Sequence, residues 1–139
     1  MPVVDVQDPR FLPPCDMAGR IGKWCVEHDV AVPTTRPAVV RTILESLAAA
    51  YASAVSVAAG LTGRRVDTIH VVGGGSQNAL LCQVLADRSG CTVVAGPVEA
   101  TALGNVLVQA RAAGVVGPGL GDLRELVART HRLRRHQPR

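Results

Sequence analysis

A chain of 139 residues has room for about one domain, which excludes a two-domain enzyme with its active site between the domains. A hydrophobic share of 47% without low-complexity tracts excludes a disordered chain and predicts a buried core. The formal charge of +4 belongs to the carboxy terminus, where positions 129 to 139 hold five arginines and no acid, and only Phe11, Trp24 and Tyr51 are present to stack on bases, so nucleic-acid binding is not indicated.

Residues 1–33 contain five prolines and read as an extended lead-in segment, with a short helix from Asp16 to His28 that Asp16 caps. From Arg36 to Leu61 the apolar residues Val40, Ile43, Leu44, Leu47, Tyr51, Ala54, Val55, Ala58 and Leu61 recur at helical spacing. Thr35 as N-cap and Gly63 as terminator frame one long amphipathic helix. Glu45, Tyr51 and several small residues interrupt its apolar run, so no membrane span is expected. Met1 to Arg10 lacks a signal-peptide core, and a cytoplasmic location is the expectation.

Thr68 begins a short buried strand, IHVV, that runs into Gly73, Gly74 and Gly75. A helix capped by Ser76 follows, with Leu80, Leu81, Val84 and Leu85 on its apolar face and Gly90 at its end. CTVVAGP reads as a second strand closed by Gly96 and Pro97, and the next helix places Leu103, Val106, Leu107 and Ala110 on one side. A last helix runs from Asp122 to about Thr130, and residues 131–139 form a basic tail expected to be disordered. Two strands make a poor sheet alone, so the first strands of the domain are expected to be missing.

The glycine turn is the segment richest in chemistry. Glycines after a strand let a backbone approach a ligand, and the free amides of a helix's first turn favour phosphate. Asn78 adds a side-chain amide able to donate and accept. A plain tight turn between strand and helix explains the same residues. A Walker loop would require Lys and then Ser or Thr after the last glycine, where Ser76 and Gln77 stand. A dinucleotide fold would require a third glycine at Asn78 and an acid at the end of the second strand, for which Glu99 is the only support. Cys15, Cys25, Cys82 and Cys91 form no CxxC pair, and reduced thiols with no metal site are expected.

The runs HVVGGGSQNALLCQVLAD (His70 to Asp87) and VVAGPVEATALGNVLVQA (Val93 to Ala110) together resemble the signature end of the FGGY carbohydrate kinases. FLPPCDM, RTILESLAAAY and GPVEATALGN are most similar to the rhamnulokinase branch of that family, and the match extends from about Asp5 to Val127. The resemblance implies an α/β fold, a partial RNase H-like carboxy-terminal domain of the actin and hexokinase ATPase type over residues 34–130, helix-rich with about two strands. It further implies that Gly73, Gly74 and Gly75 contact ATP and that Asn78 approaches the adenosine, with Mg2+ as co-substrate ion whose ligands are not identifiable here. The segment Glu99 to Gly104 would lie beside the nucleotide, and is read as helix capping with close packing at Gly104.

The implied reaction moves the γ-phosphoryl group of ATP to the 1-hydroxyl of L-rhamnulose. By the same comparison the catalytic aspartate and the sugar-binding residues precede the region represented here, so no catalytic residue is assigned and inactivity alone is expected. A non-catalytic remnant or nucleotide-binding module is the alternative. Sugar would bind only with the amino-terminal part supplied, and uncovered apolar faces would favour self-association.

Overall fold

A computed structural model describes residues 1–139. Five α-helices and three strands follow in the order α1 (Met17–Glu27), α2 (Arg36–Thr62), β1 (Thr68–Val71), α3 (Ala79–Ser89), β2 (Thr92–Ala95), α4 (Ala100–Ala112), α5 (Leu120–Thr130) and β3 (Arg134–His136). Short 3-10 turns stand at Pro9–Phe11 and Gly74–Gln77. Caps fall where side-chain chemistry places them: the Asp16 carboxylate accepts from the Gly19 amide, the Thr35 hydroxyl from the Ala38 amide, and Gly63 ends α2 at φ 62°.

The apolar stripe expected along α2 is buried only in part: Ile43, Leu44 and Leu47 pack against the cores, but the fully buried positions are others. Thr42, Glu45, Ser46 and Ala48 are buried, while Val40, Tyr51 and Leu61 are exposed. The first half of α2 packs on α3, where Leu81, Cys82 and Leu85 supply the bulk and Ala48 allows close approach. Two of its polar members are satisfied, while the Thr42 hydroxyl is buried without a hydrogen-bond partner. The Ser46 hydroxyl donates to the Thr42 carbonyl at 2.7 Å and accepts from the Val4 amide at 2.9 Å. The Glu45 carboxylate, 7% exposed, receives Arg41 on one oxygen and Arg88 of α3 on the other, each at 2.6 Å. By length and composition α2 also reaches the threshold of a membrane-crossing helix, with a mean hydropathy of 1.4, although the sequence reading had none. In this fold its amino-terminal half is occupied by α3 and by the ion-paired carboxylate.

β1 pairs parallel with β2, Thr68 opposite Thr92 through Val71 opposite Ala95. β2 pairs antiparallel with β3, Val93 opposite His136 and Ala95 opposite Arg134. The sheet therefore has three strands in the order β1-β2-β3, not two, and the tail expected to be disordered supplies the third. Beyond the strand, the Gln137 side chain accepts from the Thr92 hydroxyl at 3.0 Å, its carbonyl accepts from Gln83, and the Arg139 amide donates to Asp87. The physical reason is that β2 without β3 would leave the polar backbone groups of its second edge unpaired beside a buried core.

One face of the sheet, carrying Ile69, Val71, Val93 and Ala95, joins α3 and α2 in the main core. The other face looks toward α4 and α5 across a groove lined by His70, Val94, Leu107, Leu123 and Arg135. β1 is an edge strand with Thr68 and His70 exposed and Ile69 and Val71 half-buried, in place of the short buried strand expected. On α4, Leu103, Leu107 and Ala110 are half-buried as their spacing implies, but Val106 points to solvent. A second cluster of Val4, Ile21, Trp24 and Cys25 fixes the lead-in segment and α1 against the start of α2, through Val39 and Ile43.

Candidate functional site

Parallel strands end on the same side, so the turns after β1 and β2 lie together at the carboxyl end of the sheet, where open α/β folds hold their ligands. Two backbone bonds tie these turns: the Gly96 amide donates to the Val71 carbonyl at 2.8 Å and the Gly73 amide to the Pro97 carbonyl at 3.2 Å. Gly73 sits at φ 76°, ψ −167°, a region open essentially only to glycine.

The 3-10 turn Gly74–Gln77 follows. The amides of Gly74 and Gly75 have no acceptor within the chain. A Cβ built on either residue meets nothing within 4 Å, so both backbone segments face open space. This turn moves the start of the next helix. Ser76, expected as the cap, is buried and donates its hydroxyl to the Gly73 carbonyl at 2.6 Å. Asn78 caps α3 instead, its side-chain oxygen accepting from the Leu81 amide at 3.0 Å.

Gly73, Gly74, Gly75 and Asn78 thus share one turn but differ in what they can offer. Gly74 and Gly75 keep free donors, Gly73 has spent its amide on Pro97, and Asn78 has its oxygen engaged by α3. Beside this turn lies a cleft of about 540 Å³, walled by Ser76 and Gln77, by Pro97 to Glu99, and by His131, Arg132 and Arg134 from the approach to β3. Sequence reasoning missed the last three, because a run of arginines reads as solvated and the register that aims them is a property of pairing.

Glu99 precedes α4 without a side-chain capping bond, and Gly104 is exposed with no atom near its absent Cβ. Capping and close packing therefore do not account for this segment. Cys25, Cys82 and Cys91 are buried and Cys15 exposed, all as free thiols, and burial pushes the thiols of Cys25 and Cys82 up. Nowhere do three His, Cys, Asp or Glu side chains converge.

Burial pushes the Glu45 carboxyl up, but hydrogen bonds from Arg41 and Arg88 outweigh it and hold the group below the usual carboxylate range. This joint fixes α3, and with it the turn α3 carries, against α2.

Comparison with known proteins gives this geometry a setting. A family model described as the FGGY family of carbohydrate kinases, C-terminal domain, matches residues 1–113. The chain is 40% identical over 136 residues to a rhamnulokinase of Bacteroides thetaiotaomicron, covering 98% of the chain and 28% of that protein. It is 46% identical over 113 residues to a rhamnulokinase of Enterococcus faecalis, covering 80% of the chain and 23% of that protein. A rhamnulokinase of Mannheimia succiniciproducens is 40% identical over 129 residues, 93% of the chain and 27% of that relative. The chain therefore spans about a quarter of the length of these relatives. On the match over its first 113 residues, the chain belongs to the FGGY family of carbohydrate kinases, within the C-terminal domain of that family.

Proposed function

We propose that this chain is the ATP-binding, carboxy-terminal part of a rhamnulokinase-like enzyme, and that it takes the nucleotide at the turn Gly73–Gly75. The observation that carries the reading is the pair of unused amides at Gly74 and Gly75, open to solvent beside a cleft at the carboxyl end of two parallel strands. Free amides before a helix suit phosphate oxygens, and Asn78, whose side-chain oxygen caps α3, has its side-chain nitrogen left to meet the nucleoside.

In this reading the domain is RNase H-like, of the actin and hexokinase ATPase type. The group that takes the proton of the sugar hydroxyl belongs to a part of the enzyme outside these residues. Magnesium would arrive with the nucleotide, on its phosphate oxygens. Four free thiols suit a reducing, cytoplasmic setting. Phosphoryl transfer depends on holding both reactants in one place, so the chain alone is expected to bind nucleotide without phosphorylating L-rhamnulose.

Calorimetric titration with ATP and magnesium tests the reading. The expected result is saturable binding by the wild type and at least about tenfold weaker binding by Gly74→Val, whose side chain has room in the free protein but occupies the approach to the amides. Equal affinity in the two proteins returns the glycines to the role of a plain turn. Turnover of L-rhamnulose well above background by the purified chain overturns the expectation of inactivity.

A further inference from the structure

Residues opposite one another in an antiparallel pair put their side chains on the same face of a sheet, and neighbours along a strand alternate. Ala95 lies opposite Arg134 and Val94 opposite Arg135. Consecutive arginines of one strand therefore part company: Arg134 lines the cleft beside the glycine turn, and Arg135 lines the groove under α4 and α5. Upstream of the strand, the Leu133 side chain and the Arg132 carbonyl pass 3.4 and 3.6 Å from where a Cβ on Gly96 would stand. Contact with Gly96 seats the approach to β3 on the rim of the cleft, and Arg132 and His131 line it as well.

Neither arginine of the cleft is spent on a carboxylate. The five salt bridges are made by Arg10, Arg41, Arg65 and Arg88, and the one carboxylate among the lining residues is Glu99. Two uncommitted guanidinium groups thus share one cleft with Ser76 and Gln77, and the two uncommitted amides, at Gly74 and Gly75, belong to the first half of that same turn, next to the cleft lining. Such a set has donors and positive charge and few acceptors of its own. Its complement is a group with several charged acceptor oxygens.

We infer that Arg132 and Arg134 form the second wall of the nucleotide site and take its polyphosphate, opposite the amides of Gly74 and Gly75. The inference rests on the nucleotide reading above and adds to it two phosphate-binding residues from the tail. Arg135 carries the same charge on the same strand and faces away, so it separates a built site from a general effect of net charge.

The test is titration of the full chain with ATP, adenosine and inorganic triphosphate, repeated on Arg132→Gln/Arg134→Gln and on Arg135→Gln. Expected are about tenfold or greater losses for ATP and triphosphate in the double variant only, with adenosine binding unchanged. Equal losses in Arg135→Gln overturn the inference in favour of bulk charge. Wild-type binding of ATP that the double variant retains in full overturns the inference and leaves the nucleotide reading standing. Triphosphate binding that needs both arginines, with no binding of adenosine and no preference for ATP, supports the wall and sinks the nucleotide reading; no binding of any of the three sinks both. Arg132→Lys/Arg134→Lys, which keeps the charge and loses the bidentate fork, covers the case of a poorly folded glutamine variant: intermediate affinity for triphosphate is expected, and wild-type affinity overturns the guanidinium contacts.

Discussion

Glu45 shows how a residue that looks wrong in sequence is right in the fold. It interrupts an apolar helix, yet it is buried because Arg41 and Arg88 each give one of its oxygens two donors. Removing Arg88 leaves a buried carboxylate half satisfied, and Arg88→Met is expected to lower stability by about 1–3 kcal/mol, read from the midpoint of urea unfolding. The folded carboxyl loses its proton more readily than the unfolded one. Its contribution is therefore complete above the ordinary Glu range and drains away as pH falls through the lowered folded value. Glu45→Gln is expected to flatten that acid limb of the stability curve; an unchanged limb would mean that other carboxylates dominate it. The same scale shows what the sequence could give of the site. Gly73 to Gly75 were legible because a glycine run after a strand marks exposed backbone, with Gly73 alone at positive φ, whereas the cap moved from Ser76 to Asn78 because the intervening 3-10 turn leaves no mark in side-chain periodicity.

Among the elements, β3 is the one the sequence hides. α1, α2 and α3 announce themselves through caps and apolar spacing, and β1 and β2 through short β-branched runs before glycine. β3 is three residues of arginine and histidine, and it is a strand because β2 offers it an open edge, with His136 packed on the same face as Val93. Deleting residues 131–139 is expected to expose the β2 amides that face β3 to rapid hydrogen exchange, at a cost of roughly 0.5–1.5 kcal/mol for each bond lost. The β2 amides that face β1 should stay protected. Uniform protection in the truncated chain would show that β3 contributes nothing to the sheet. The apolar spacing on α2 marked the helix and the packed residues Leu44 and Leu47, but not how deep each position lies, because close approach to α3 is made at Ala48 and at the internally bonded Ser46.

Across the whole molecule, the unused half of α2 stands out. Tyr51, Val57 and Leu61 are exposed, and β1 leaves one edge of the sheet unpaired. We propose that these surfaces make the isolated chain self-associate. Sedimentation velocity should show a mean mass that rises with concentration, and Val57→Asp/Leu61→Lys should reduce the rise; a monomer at all concentrations would contradict the proposal. The fold class was legible at this scale because the order of strand and helix survives in the sequence, and the family match over residues 1–113 agrees with that reading. The third strand and the arginine wall were not, since both arise from pairing between residues about forty positions apart.

The two hydrophobic clusters also differ in optical content. Trp24 is the chain's only tryptophan, it lies in the smaller cluster, and it stacks on the His28 ring at 3.9 Å. The sheet and its glycine turn hold no indole at all. Indole emission is thus a gauge of the lead-in half, blind to the other, while backbone dichroism sees both; heating the protein and watching the two signals together tells whether the halves come apart as one body or in sequence.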